Sequence, residues 1–273
     1  MIRKFFIYMP ALSIATFFLN CGGNQSSEKE IVNENDATDI VESDLQVSLS
    51  EVISPKFPDA VLEMNQPLEG NNYDPGTIEF QFNVKNYQLT NQTLDADTKQ
   101  CANSGKGQHI HFILNGSPYK ALYEPAYKAE LDVGNYVVLS FLSRSYHESL
   151  KHYGAYVISQ FSVGETKSEP VDLTVPHMFY SRPKGEYKGL DTERVILDFY
   201  LVNTDLSSDG NKVRATINGE QFLIDKWAPY FMEGLPMGES TIKLELVDHT
   251  GNIIDGPFNS VERTISLVPE DAI

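Results

Sequence analysis

The chain repeats itself, and that limits its folds more than any single residue does. Phe82-Asn83-Val84-Lys85-Asn86 matches Phe199-Tyr200-Leu201-Val202-Asn203 in pattern. Phe112-Ile113-Leu114-Asn115-Gly116 matches Ala215-Thr216-Ile217-Asn218-Gly219, and Gly134-Asn135-Tyr136-Val137-Val138-Leu139 matches Gly238-Glu239-Ser240-Thr241-Ile242-Lys243. The interval from each Asn-Gly to the following Gly is almost the same in the two copies. Inside each copy apolar residues alternate with polar ones: Ile78, Phe80, Phe82 and Val84 in the first, Val195, Leu197, Phe199 and Leu201 in the second. A period of two is the signature of a strand with one buried face. Asp74-Pro75-Gly76, Asn115-Gly116, Asp209-Gly210, Asn218-Gly219 and Thr250-Gly251 supply turns between such strands.

These features predict an all-β protein with two tandem immunoglobulin-like β-sandwich domains, following a lipoprotein signal peptide and a disordered tether. The domains are expected at 50–173, with insertions, and at 174–273. Residues 1–20 read as the signal: Arg3 and Lys4 precede an apolar run from Phe5 to Leu19 that is too short to span a bilayer comfortably. Cys21 directly after that run is in the place of a lipid-acceptor cysteine. This predicts anchoring of the protein to the cell envelope, at the outer membrane, through acyl chains on Cys21. The side of that membrane, periplasmic or cell-surface, is left open. Residues 21–49 form the tether, acidic and poor in apolar side chains, so ordering it would gain too little burial.

The chain carries 38 acidic and 21 basic residues, a net charge of −17. Binding to nucleic acid or directly to anionic headgroups needs a basic surface, so both are excluded as expectations. Apart from Cys21 the only cysteine is Cys101, so no internal disulfide can form and stability must come from packing.

Comparing the repeats separates scaffold from addition. If Val213, Ala215 and Ile217 face the second core, Ile110, Phe112 and Leu114 face the first. His109 and His111 then lie side by side on the outer face, because alternate residues of a strand share a face. That face also carries Val137, Leu139 and Phe141 where the second copy has Thr241, Lys243 and Glu245. It must be covered, by the other domain, by an insertion or by a partner. Two insertions sit beside it: Thr90–Gln108, and a loop from Ser143 to His152. Two imidazoles on one strand face can begin a copper or zinc site, with His147 or His152 completing it and Glu148 or Cys101 as further candidates. The alternative is that the histidines hydrogen-bond loop backbone and hold the insertions in place.

Arg182 and Lys184, just past Pro176, and Arg144 with Tyr146 in the histidine loop are candidates for binding a protein, a peptide or an anionic small molecule between the domains. They can equally pair with local acids and stiffen the linker. No nucleophile elbow or phosphate-cradling glycine loop is present, which argues against an enzyme.

The segments Gly107–Tyr119 (GQHIHFILNGSPY), Leu139–Ser149 (LSFLSRSYHES) and Phe179–Gly185 (FYSRPKG) resemble a family of Gram-negative lipoproteins of the Bacteroidota type, often labelled "phosphopeptide-binding protein". The resemblance implies recognition of a phosphorylated peptide, which here connects to Arg144, Arg182 and Lys184. The first repeat is also similar to small envelope domains with H-x-H before an Asp/Asn-Gly turn and a further histidine in the next long loop. The matching positions are His109, His111 and His147, which implies a shared site. The residues fit three readings: a ligand- or partner-binding module using the first sandwich and the interdomain cleft, a copper- or zinc-binding protein, and a structural envelope protein.

Overall fold

The structure, a computed structural model, describes residues 46–270. The expected signal peptide, Cys21 and most of the tether lie outside the described residues. Among the described residues no helix is long and apolar enough to cross a membrane.

The chain is all β. In order the strands are β1 (Ser48–Glu51), β2 (Val61–Gln66), β3 (Asn72–Tyr73), β4 (Gly76–Lys85), β5 (His109–Leu114), β6 (Lys120–Leu122), β7 (Ala126–Leu131), β8 (Gly134–Ser143) and β9 (Tyr156–Val163). They continue as β10 (His177–Arg182), β11 (Gly185–Lys188), β12 (Val195–Val202), β13 (Lys212–Ile217), β14 (Glu220–Ile224), β15 (Tyr230–Glu233), β16 (Gly238–Val247) and β17 (Ser260–Val268). The first sandwich pairs a sheet β2-β4-β7 with a sheet β3-β9-β8-β5-β6. The second pairs β10-β12-β15 with β11-β17-β16-β13-β14. Strands β2 to β9 thus recur, in order and with the same neighbours, as β10 to β17. Even the short parallel pairings match, β3 on β9 and β11 on β17.

Matched residues adopt matched backbone. Asn86 and Asn203 are left-handed, with φ of 56° and 53°, and so are Asn115 and Asn218, at 49° and 48°. Asparagine tolerates this region because its side chain can bond locally. Asn115 Oδ1 accepts the backbone N–H of Val137 as Asn218 Oδ1 accepts that of Thr241, tying each Asn-Gly turn to the neighbouring strand.

Each sandwich has its own core. Phe80, Phe112, Val138 and Phe161 are buried in the first, and Leu197, Phe199, Val213 and Leu244 in the second. A third cluster joins them: Ile113, Val137, Leu139 and Phe141 from the first sandwich pack on Phe179, Tyr200, Val202 and Phe258 from the second. Phe141 and Tyr200 stack with centroids 4.6 Å apart. The other domain is therefore what covers the apolar outer face, and that face is closed to an external partner. The equivalent positions of the second sandwich remain polar, where Arg214 and Glu245 form a 2.8 Å ion pair. Across the junction Lys151 pairs with the fully buried Asp198, and the Tyr200 hydroxyl donates to the Leu150 carbonyl at 3.1 Å.

One boundary differs from expectation. Strand β1 precedes the first sandwich in the chain yet extends the sheet of the second, pairing antiparallel with β15 from Ser48↔Glu233 to Glu51↔Tyr230. An open sheet edge presents unpaired N–H and C=O groups, and β1 satisfies those of β15. Residues 50 and 51, assigned by sequence to the first domain, thus belong to the second.

A three-histidine candidate metal centre

Strand alternation delivers two of the three histidines. Ile110 and Phe112 enter the first core, so His109 and His111 project from the opposite face. Both are fully buried, because that face is capped by the second sandwich. His147 arrives from the loop after β8. A turn closed by His147 N–H onto the Arg144 carbonyl (2.9 Å) leaves His147 at φ 68°. The loop is locked to the other insertion: Thr93 and Ser145 exchange two backbone-to-hydroxyl bonds, of 3.1 and 3.2 Å, and Ser104 N–H reaches the Ser145 carbonyl at 2.8 Å.

The ring nitrogens converge. His111 Nε2 lies 3.0 Å and His147 Nδ1 3.1 Å from His109 Nε2, and all three candidate donor atoms fall within 4.8 Å of one another. Two ligands of one tetrahedral zinc, each bonded at about 2.0–2.1 Å, sit roughly 3.3 Å apart. The rear nitrogens are held as well. His109 Nδ1 donates to the Gly107 carbonyl at 2.8 Å, so its Nε2 carries the free lone pair. His111 Nδ1 lies 3.2 Å from Ser181 Oγ, a group of the second sandwich. Fixing the far nitrogen by a backbone carbonyl or hydroxyl is how proteins orient ligating imidazoles.

Electrostatics keep the cluster neutral. Burial, reinforced by the Arg182 and Lys184 charges, holds His109 down to about 4 against the opposing pull of its bond to Gly107. Burial likewise drives His111 well below the usual histidine range, and the charges of His109, His147, Arg182 and Lys184 push it the same way. His147 is lowered first by burial and then by Arg182. Neutral imidazole is the ligating form.

The remaining candidates fall elsewhere. His152 stands outside the cluster, its Nε2 buried without a hydrogen-bond partner. Glu148 is engaged by Arg144 at 2.7 Å, and the Arg144 guanidinium also reaches the carbonyls of Ser149 and Pro55. Tyr146 is a core residue, fully buried with Val52, Cys101, Ile196 and Phe231, and it donates to Asp95 at 3.1 Å. As a ligand contact Tyr146 is therefore ruled out by packing. Cys101 is a buried thiol pushed by desolvation up to about 12, which suits neither a nucleophile nor a soft ligand. Arg182 is buried between Tyr119 and Tyr187, and Lys184 reaches over Tyr119, so both stand beside the histidines. Two hollows remain at the junction, one of about 450 Å³ lined by Phe57, Arg144, Leu150, His152 and Trp227, and one of about 560 Å³ lined by Tyr153, Tyr156, Leu201 and Trp227.

Sequence reasoning missed three contributors: Gly107, Ser181 and Tyr119. Gly107 has φ +82°, and a Cβ there would meet the Thr90 carbonyl and, at 2.6 Å, that of Asn91. Gly107→Ala is therefore expected to destabilise by about 2 kcal/mol from the backbone conformation alone. That would be read as a lower denaturant midpoint, and an unchanged midpoint would show that the loop adapts. Tyr119 was legible in principle: it shares a face with Ala121, the cross-strand neighbour of His111.

No family model matches the chain, and no curated relative matches it. Among solved structures it is similar to the fibronectin(III)-like modules of Clostridium thermocellum CbhA, at 14% identity over 77% of this chain and 95% of that one, with a TM-score of 0.27. It is similar also to the central fibronectin-III array of RIM-binding protein (9% identity, 81% and 71% of the two chains, TM-score 0.25) and to domains FN1–FN3 of chicken CNTN1 (12%, 79% and 68%, 0.22).

Proposed function

We propose that this is a binding protein of the cell envelope, lipid-anchored through Cys21, whose ligand is a copper or zinc ion held by His109, His111 and His147. One observation carries the reading: three neutral imidazoles, two from β5 and one from the loop after β8, bring their donor atoms within 4.8 Å of one another, two with the far nitrogen already engaged. The chemistry needed for a nitrogen-rich transition-metal site is present, with no carboxylate in the cluster. Catalysis is not part of the proposal. Ser149 Oγ donates to Asp198 at 3.0 Å, and Cys101 is inert. Because the second sandwich supplies Ser181 and roofs the site, an ion there would also staple the two sandwiches together.

Elemental analysis and titration calorimetry with copper and zinc on the full-length protein test this. The expected result is one ion per chain, with affinity reduced at least about 100-fold in His109→Ala/His111→Ala, two ligands having been removed. If neither ion binds above background, the three rings are a hydrogen-bonded packing motif and the metal reading falls.

A further inference from the structure

Tyr119 lies on the return arm of the β5–β6 hairpin, with its side chain on the same sheet face as the histidines. Its ring stacks on His111, with centroids 3.5 Å apart and planes 9° from parallel. Its hydroxyl is 3.2 Å from His147 Nδ1. The oxygen and the three nitrogens therefore form a chain of short separations: His111 Nε2 to His109 Nε2 at 3.0 Å, then to His147 Nδ1 at 3.1 Å, then to Tyr119 Oη at 3.2 Å. Each is close to the roughly 3.3 Å edge of a tetrahedron of ligands around one ion.

Burial raises the Tyr119 phenol above its ordinary range and the Arg182 charge opposes that, so an anion here has to be drawn out by the ion itself. Lys184 Nζ stands 3.9 Å from the Tyr119 ring centroid, and close stacking by His111 leaves it only the other face. The Arg182 guanidinium lies 5.9 Å from the same centroid. Arg182 is almost fully buried, its Nε has no hydrogen-bond partner, and the carboxylate whose charge it feels, Asp198, is already paired with Lys151. A buried cation without an ion-pair partner of its own is costly, as is a dication held only by neutral imidazoles beside it. One anionic oxygen between the two relieves both.

We propose that Tyr119 Oη is the fourth ligand of the ion held by His109, His111 and His147, bound as tyrosinate. This rests on the metal reading above and specifies the nature of the centre. As the metal–oxygen bond forms, the phenolic O–H proton passes to solvent, and no electron is transferred. Four protein ligands close the coordination sphere, which is the arrangement of a structural or storage site and not of a catalytic one with an open position. All four come from the first sandwich, while Ser181, Arg182 and Lys184 of the second form the shell that orients and charge-balances them.

The test uses the full-length protein loaded with copper(II), and separately with zinc. Copper should give a visible tyrosinate-to-metal charge-transfer band, and zinc an ultraviolet difference band of coordinated phenolate. Tyr119→Phe, which keeps the stacked ring, should abolish both bands and weaken binding at least about 10-fold while the histidine ligands still hold the ion. Stoichiometric metal with neither band, or Tyr119→Phe with unchanged spectra and affinity, would overturn the fourth ligand and leave the three-histidine site standing. Failure of the wild type to bind either ion would overturn both.

Discussion

Phe141→Ala is expected to destabilise the protein by about 3–5 kcal/mol, the range for removing a fully buried aromatic side chain. Phe141 is completely buried, stacks on Tyr200 across the junction and lies 5.2 Å from His111 on its own sheet. Its removal therefore leaves a cavity between the sandwiches, not inside either. Two consequences separate this from an ordinary core truncation. The denaturant transition should broaden or split, because each sandwich keeps its own core while the joining cluster is weakened. The histidine site should loosen as well, since His111 loses one of its packing partners. Denaturation followed by the fluorescence of Trp227, which packs on Tyr200, and by far-ultraviolet circular dichroism would reveal it. A loss below about 1 kcal/mol would mean that the interface contributes little to stability.

The second large effect is acid destabilisation of the metal-free protein. In the unfolded chain His109 titrates near the ordinary histidine value of 6.5, whereas in the folded protein it is held down to about 4. Between those two values the unfolded state binds the proton and the folded state does not, so stability falls as pH falls through that window. The stabilisation is fully present above about pH 6.5. From pH 7 to pH 4 the loss attributable to His109 is about 3 kcal/mol. His111 and His147, shifted in the same direction, add to it. Denaturant midpoints measured across that range should fall steeply for the wild type and less for His109→Gln. Equal slopes would show that the imidazoles are not held neutral by burial.

Much of the fold was legible, and for a reason particular strands make plain. The alternation of Ile78, Phe80 and Phe82 and of Val195, Leu197 and Phe199 is a local property that any sheet must satisfy. Asn115-Gly116 and Asn218-Gly219 specify their own backbone, and both pairs adopt left-handed conformations. The second copy acted as an internal control. Arg214 and Glu245 showed that the face bearing His111 and Phe141 would be solvated if nothing covered it.

The partners of those residues were not legible. Choosing His147 over His152 depended on the Arg144–His147 turn and on two loops locking each other through Thr93 and Ser145. Tyr146 and Arg144 read as ligand-binding candidates in the histidine loop but are consumed by internal packing and bonding. Strand β1 carries no mark in Ser48–Glu51 that assigns it to a sheet assembled from residues far downstream.

The all-β class, the two-fold repetition of strands and the placing of His109 and His111 on one outer face can be read from the chain alone, because periodicity and turn chemistry act over a few residues. Three-dimensional packing is needed to see that the second sandwich buries that face, that His147 and Tyr119 reach it, and that Arg182 and Lys184 stand beside it. Those contacts join segments far apart in the chain, and long-range packing leaves no local pattern from which they can be read.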